Sequence, residues 1–129
     1  MGSGIAAECT NCGDHKDYTF GGGRMFGDLS NNFDLYSVGV RKKISDLESN
    51  YTFEETDYSY ELFECLHCDT AHTRLTLKIL YDDGKIYEPS FRCYECKRGL
   101  RLATRAPETY KCRNCGSYSL KESYVYTWD

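Results

Sequence analysis

The chain has 129 residues, a formal net charge of −4 and 40% hydrophobic residues, which suits one compact domain or two very small ones. Much of the apolar content is aromatic, with twelve tyrosines, six phenylalanines and one tryptophan. Small chains with few aliphatic residues often need metals or disulfides to fold. No segment approaches the ~20 apolar residues of a membrane span, so the sequence predicts no transmembrane helix.

The chain begins with residues 1–4, Met-Gly-Ser-Gly, which we interpret as an expression-tag scar outside the predicted fold. No secretory signal precedes Cys9, because residues 1–7 contain neither a charged segment nor an apolar stretch of useful length. We therefore expect a soluble, cytoplasmic protein whose cysteines are not paired in disulfides.

All eight cysteines of the chain belong to Cys-x-x-Cys pairs. Two residues between the thiols let both sulfurs of a pair bind one metal ion from a tight turn, so each pair supplies half of a tetrahedral four-cysteine site. The sequence therefore predicts two structural zinc ions with no open coordination position. The predicted ligands are Cys9, Cys12, Cys65, Cys68, Cys93, Cys96, Cys112 and Cys115.

Residues 13–64 separate the first two pairs and form the only region long enough for a helix. Three consecutive glycines at 21–23 indicate a flexible turn. Beyond Asn31 and Asn32, which can act as an N-cap, apolar residues recur with helical spacing and predict a helix over about 33–47. The predicted apolar face consists of Tyr36, Val40, Ile44 and Leu47. Residues 49–57 are acidic and polar, and we expect a loop there.

Residues 65–129 are predicted to be rich in β-structure. Apolar and polar residues alternate over 58–63 and 74–79, which is the pattern of half-buried strands. Asp83 and Gly84 form a strong hairpin-turn signal, and Pro89 places the returning strand, 86–92, at an edge or a bulge. Further strands are predicted at 100–104 and 117–126. The expected fold is therefore β-rich α+β, with two four-cysteine zinc-ribbon modules and one helical insert between the first two pairs.

The pairing of the Cys-x-x-Cys motifs is open to two interpretations. Fifteen positions separate Cys96 from Cys112, which matches the spacing of a four-cysteine zinc signature. This spacing favours sequential pairing, in which the first two motifs share one metal and the last two share the other. The alternative is a cross-brace, in which the first motif pairs with the third and the second with the fourth.

Residues 92–113 carry a cluster of basic side chains within an otherwise acidic chain. Such a cluster can contact phosphates, or it can offset the −2 formal charge of each zinc tetrathiolate. Because the whole chain is acidic, we favour the second interpretation over nucleic-acid binding. The basic residues are Arg92, Lys97, Arg98, Arg101, Arg105, Lys111 and Arg113.

Taken together, the motifs resemble those of small bacterial zinc-ribbon proteins with four Cys-x-x-Cys knuckles. The resemblance rests on the first Cys-x-x-Cys-Gly motif, the glycine-rich stretch over residues 20–26, the helical insert and the three later pairs. It implies zinc ribbons and carries no activity with it.

No arrangement of residues in the sequence indicates catalysis: there is no nucleophile triad, phosphate loop or metal site with a missing ligand. We therefore expect a non-catalytic scaffold or adaptor that binds a protein partner, with Met25 and Phe26 as candidate contacts because they lie beside the glycine-rich turn. The alternatives are a zinc ribbon that binds nucleic acid and a regulator that senses zinc or oxidation. The sequence does not indicate an oligomeric state.

Overall fold

The computed structural model describes residues 2–21 and 33–128, which form two antiparallel sheets and one α-helix. From one edge to the other, the larger sheet has the order β5 (Thr70–Leu75), β4 (Tyr60–Cys65), β2 (His15–Gly21), β1 (Gly2–Cys9) and β9 (Leu120–Trp128), with β8 (Arg101–Leu102) paired to β4 off this path. The smaller sheet has the order β3 (Phe53–Asp57), β6 (Lys78–Tyr81) and β7 (Lys85–Tyr87). Strands dominate, so the described residues have a β-rich fold with one helix, as the sequence predicts.

The centre of the larger sheet is a hairpin joined to a strand from the other end of the sequence. Strand β1 (Gly2–Cys9) pairs with β2 (His15–Gly21) on one side and with β9 (Leu120–Trp128) on the other. Residues 2–4, which the sequence places outside the fold, form the first part of β1. Neither β1 nor β2 is predicted from the sequence.

The other half of the larger sheet is a second hairpin. Strand β4 (Tyr60–Cys65) pairs with β5 (Thr70–Leu75) along its whole length and with the two-residue strand β8 (Arg101–Leu102) on its other side. Strand β2 reaches this hairpin only at its end, where Gly21 pairs with Tyr60.

The helix packs against the smaller sheet. Helix α1 (Val38–Asn50) begins at the N-cap Ser37, whose side chain accepts a hydrogen bond from the Val40 N–H, and it follows a 3-10 turn at Phe33–Leu35. The helix is therefore displaced toward the C-terminus of the predicted span. Its partner strands are β3 (Phe53–Asp57), β6 (Lys78–Tyr81) and β7 (Lys85–Tyr87).

The predicted apolar face of the helix does point to this core. Ile44 and Leu47 are buried in α1, Tyr36 is buried just ahead of it, and Val40 packs against the same cluster. Burial of such side chains contributes about 1.5–3 kcal/mol each. The remaining members of the cluster come from neighbouring strands and from the segments that connect them: Tyr58, Leu75, Leu77 and Ile79.

Several predicted segments differ from the structure. The returning strand predicted over 86–92 ends at Tyr87, and the strand predicted over 100–104 is limited to Arg101–Leu102. The expected loop over 49–57 contains the end of α1 and the whole of β3. The expected single strand over 74–79 is broken at Thr76, whose N–H and hydroxyl both donate to the Ser59 carbonyl oxygen. The break moves the chain from the larger sheet to the smaller one, so the alternating pattern spans two strands. The hairpin predicted at Asp83-Gly84 is confirmed as the β6–β7 connection.

Candidate metal centres

The eight cysteines form two groups of four in a nested arrangement. The first and fourth motifs together form one group, which we name the outer cluster: Cys9, Cys12, Cys112 and Cys115. The second and third motifs form the other, which we name the inner cluster: Cys65, Cys68, Cys93 and Cys96. The sequential pairing that the spacing favours is therefore wrong, and so is the cross-brace.

Strand pairing explains the nesting. The first motif is the turn of the β1–β2 hairpin, and the pairing of Cys9 with Leu120 places the start of β9 beside it. The fourth motif directly precedes β9, so the two meet at one end of the sheet. The second motif is the turn of the β4–β5 hairpin. Because β8 pairs with β4, the third motif, which precedes β8, lies against the second.

Each of the four motifs has the same turn conformation. The residue after the second cysteine has a positive φ in every case, and its N–H donates to the carbonyl oxygen of the first cysteine, at 2.8–3.0 Å. Lys97 takes the left-handed conformation although it is not a glycine. The four residues are Gly13, Asp69, Lys97 and Gly116.

The sulfur positions fit a tetrahedral metal site. A tetrahedron with metal–sulfur bonds of about 2.3 Å has sulfur–sulfur edges of about 3.8 Å. In the outer cluster, Cys9 Sγ lies 3.6 Å from Cys115 Sγ, and Cys12 Sγ lies 3.7 Å from Cys112 Sγ. The inner cluster has edges of 3.5 Å between Cys65 and Cys96 and 4.0 Å between Cys68 and Cys93. These distances are far beyond the ~2.05 Å of a disulfide bond.

The outer cluster is half open to solvent, with Cys12 and Cys115 exposed and the other two cysteines buried. Each exposed sulfur accepts a hydrogen bond from the asparagine of the opposite motif, at 3.5 Å from Asn11 Nδ2 to Cys115 and 3.4 Å from Asn114 Nδ2 to Cys12. Hydrogen bonds from Asn11 and then Ser117 lower the pKa of Cys115 to about 6. In the same cluster, burial raises the pKa of Cys112 to about 11, so the exposed Cys115 forms a thiolate more readily than the buried Cys112.

The inner cluster is more enclosed, with Cys65 and Cys93 buried and Cys68 and Cys96 half-buried. Burial raises the pKa of Cys68 to about 12, so a bound cation is needed to hold this thiol deprotonated. A metal ion that binds all four thiols supplies the compensating charge.

The buried His72 lies beside the inner cluster. Its Nε2 lies 2.9 Å from Thr70 Oγ1 and 3.8 Å from Cys93 Sγ, and burial lowers its pKa to about 4. His72 therefore lies against a sulfur of the inner cluster, which already has four cysteine ligands. His72, Cys93 and Glu95 also lie close enough together to hold an ion, but Cys93 already belongs to the inner cluster. His15 and His67 are exposed.

Three carboxylates beside the inner cluster bind basic residues of the 92–113 stretch, and we name Glu64, Asp69 and Glu95 the bridging carboxylates. Glu64, which precedes Cys65, is buried and accepts hydrogen bonds from Tyr110 Oη and Arg101 Nε, both at 2.6 Å. The hydrogen bond from Tyr110 is the main cause that lowers the pKa of Glu64 to about 2, with Arg101 contributing further. Glu64 therefore carries its charge at neutral pH.

Asp69 and Glu95 extend these contacts to the outer cluster. The Asp69 carboxylate accepts hydrogen bonds from Tyr118 and Arg105, and its backbone carbonyl accepts one from the Lys111 N–H at 2.9 Å. Glu95 Oε1 accepts from Nε and Nη2 of Arg113, at 3.1 and 2.9 Å. Arg113 lies in the fourth motif, so this ion pair joins an inner turn directly to an outer one.

The basic stretch is thus partly neutralised. Arg101, Arg105 and Arg113 each pair with a bridging carboxylate rather than with the thiolates themselves. The other four predicted contact residues have no ion pair to a carboxylate in the described part of the chain: Arg92, Lys97, Arg98 and Lys111. Met25 and Phe26 lie outside the described residues.

Comparisons with protein families, with curated proteins and with solved structures find no match to this chain. The resemblance to bacterial zinc-ribbon proteins therefore stays a prediction that rests on the motifs alone. Within residues 2–21 and 33–128, no helix has both the length and the apolar character needed to cross a bilayer.

Proposed function

We propose that the chain is a non-catalytic zinc protein whose two structural four-cysteine sites hold a scaffold for a protein partner. The observation that carries this proposal is the pair of preformed tetrahedral clusters, each with four sulfurs at metal-binding spacing. Four thiolates around one ion leave no coordination position for a substrate. The metal contributes folding free energy, because the unfolded chain has no preformed site.

Zinc is the metal that we propose for both clusters. Tetrahedral four-sulfur sites suit zinc or iron, and the choice between them depends on redox function as well as on geometry. Asn11, Asn114 and the exposed sulfurs that they contact are compatible with either ion. The absence of a catalytic arrangement in the sequence supports zinc in a structural role. We also propose that the protein is cytoplasmic.

A protein partner is supported by the apolar side chains on the surface. Leu66 in the second motif and Tyr94 in the third are 65% and 60% exposed. Tyr118 beside the fourth motif is 61% exposed. Aromatic residues are enriched at protein interfaces, and two of these three exposed residues are tyrosines. All three lie in or beside the turns that bound metals would hold in place.

Elemental mass spectrometry on protein purified without added metal tests the zinc assignment, with a thiol count before and after chelation. The expected result is two zinc ions per chain, with all eight thiols masked until the chelator is added. One metal, iron in place of zinc or four disulfides would contradict the proposal. Native mass spectrometry after affinity capture tests the scaffold role, and a strict monomer with no partner would count against it.

A zinc- or oxidation-sensitive regulator is the second candidate, because Cys12 and Cys115 are exposed. Loss of metal from the outer cluster would free the turns that carry Asn11 and Asn114. This candidate predicts that mild oxidant releases one zinc ion before the protein unfolds. Zinc that stays bound until gross damage would exclude it.

A nucleic-acid-binding zinc ribbon is the less supported alternative. Its remaining support is the set of four basic residues without a carboxylate partner in the described part of the chain. One of them, Arg98, has an exposed side chain, while its backbone carbonyl accepts a hydrogen bond from the Cys93 N–H at 2.8 Å. Binding of this kind would weaken steeply with salt, because neutralised phosphates release counterions.

A further inference from the structure

A cavity of about 580 Å³ follows the free edge of the larger sheet. Strand β5 is the last strand on its side of the sheet, and no other described strand pairs with its outer edge. Thr73, Arg74 and Leu75 of β5 line the cavity, which continues between the start of α1 and the segment that leads into the third motif. From that segment come Ser90, Phe91, Arg92 and Tyr94.

The cavity is cationic although the chain is acidic. Arg74 and Arg92 line it, and none of the described lining residues is an aspartate or a glutamate. Glu61 is the cross-strand partner of Arg74 in the β4–β5 ladder, and the charge of Glu95 also acts on Arg74. The Arg74 guanidinium lies 3.7 Å from the centre of the Tyr94 ring and donates from Nη2 to the Arg92 carbonyl oxygen at 2.9 Å.

Arg92 is the more available of the two cations. Its side chain is exposed. Within the described residues, the guanidinium donates one hydrogen bond, from Nη1 to the Lys97 carbonyl oxygen at 3.2 Å. An arginine has five N–H donors, so most of the Arg92 guanidinium remains for a ligand.

The walls of the cavity contain both apolar and polar side chains. The apolar side chains include the buried Tyr36 and Leu75, together with Val40 and Phe91. Thr73 Oγ1 is buried and has no hydrogen-bond partner within the described structure. A hydroxyl can donate one hydrogen bond and accept two, so Thr73 can contribute a hydrogen bond to a ligand in the groove.

We propose that this groove binds an extended acidic segment of a partner protein, which adds a strand to the free edge of β5. The inference rests on the proposed scaffold function and names the partner's chemistry. A sheet edge supplies unpaired backbone donors and acceptors along the strand, and the side-chain pockets beside it set specificity. The arginines select carboxylate side chains, since both line the groove and none of the described residues that line it is acidic.

The test uses the zinc-loaded full chain and an acetylated hexapeptide that alternates glutamate with valine. Nuclear magnetic resonance should show saturable changes in the amide signals of residues 70–75 and 90–94. Arg92→Gln should weaken binding by up to about fivefold, the effect of losing one exposed charge pair. The matched control, Arg98→Gln, removes an exposed arginine six positions away that does not line the groove, and should leave affinity unchanged.

Three outcomes would overturn the proposal. The first is equal binding of a peptide that alternates lysine with valine, and the second is a set of signal changes outside the groove. The third is equal competition by benzoate, which would assign the cavity to small organic anions. Zinc content is measured on the same sample. Two zinc ions with no peptide binding would reject the groove and retain the metal scaffold, whereas missing zinc would reject the scaffold itself.

Discussion

Asp69 and Lys97 have a backbone conformation that favours glycine. In the first and fourth motifs the equivalent residues are glycines, and all four have φ between 55° and 78°. Asp69 uses its side chain to bind Tyr118 and Arg105, which gives a physical reason for a residue other than glycine at that position. Lys97 donates from Nζ to the Tyr94 carbonyl oxygen at 2.9 Å, which closes its own turn.

Two glycine-to-alanine substitutions should therefore change stability in opposite directions. Gly116→Ala places a Cβ at φ +76° and should lower the free energy of unfolding by about 1–2 kcal/mol. Gly39→Ala lies in α1 with open space around the added methyl and should raise it by about 0.5–1 kcal/mol. Denaturant unfolding of the zinc-loaded variants measures both. Equal changes in the free energy of unfolding of the two variants would show that the positive φ at Gly116 does not add to the cost of a side chain there.

At the scale of the elements, the sequence contains a signal for the nested pairing. The first and fourth motifs share the pattern Cys-x-Asn-Cys-Gly, and their asparagines contact each other's exposed sulfurs. The spacing between Cys96 and Cys112 favours a different pairing, because spacing reports on the chain between two motifs and not on strand order. In this fold, the similarity between two motifs predicts which of them pair better than the spacing between them does.

Other elements were not predictable from local pattern. Strand β1 has alternating burial over only part of its length and contains two glycines and two alanines, so neither periodicity nor propensity marks it. Its position depends on pairing with β9, more than a hundred residues later. The break at Thr76 also depends on a distant contact, the carbonyl of Ser59. The helix and the β6–β7 hairpin have local signals, and both are found.

The pairing of β1 with β9 requires glycine at position 4. A Cβ there would overlap the ring of Tyr126, which lies across the strand and packs against Tyr124 with ring centres 5.7 Å apart. Gly4→Ala should therefore destabilise the protein by about 1–3 kcal/mol, the usual cost of overpacking. Thermal or denaturant unfolding measures the loss. In a Tyr126→Ala background the same substitution should cost much less, and an unchanged cost would contradict this contact.

The two clusters of the whole molecule differ in exposure but are linked by the bridging carboxylates. The outer cluster has two exposed cysteines and the inner cluster has none. The ion pair between Glu95 and Arg113 and the contacts of Asp69 tie the turns of one cluster to those of the other. Energetic coupling is reciprocal, so a metal ion at one cluster that raises the metal affinity of the other through these contacts would itself be held more tightly by the same factor.

Chelation should therefore remove zinc in two phases, the outer cluster first, because attack on a thiolate site requires access to its sulfurs. Cys115→Ser should abolish the fast phase and leave one zinc ion in the slow phase. Cys96→Ser is the matched variant of the inner cluster and should leave only rapidly released zinc. Native mass spectrometry during chelation follows each species. Slow release from Cys96→Ser would show that exposure does not set the order.

The nesting also sets an order for biosynthesis. Cys12 and Cys112 are 100 positions apart, whereas Cys68 and Cys93 are 25 apart, so closing the outer loop costs about 1.2 kcal/mol more in chain entropy. On the ribosome, the third motif emerges before the fourth, and the inner cluster has all its ligands while β9 is still unmade. Until then the first hairpin has two thiols and no partner turn. A nascent chain therefore completes the cysteines of the inner cluster first, and those of the outer cluster only once its fourth motif is made.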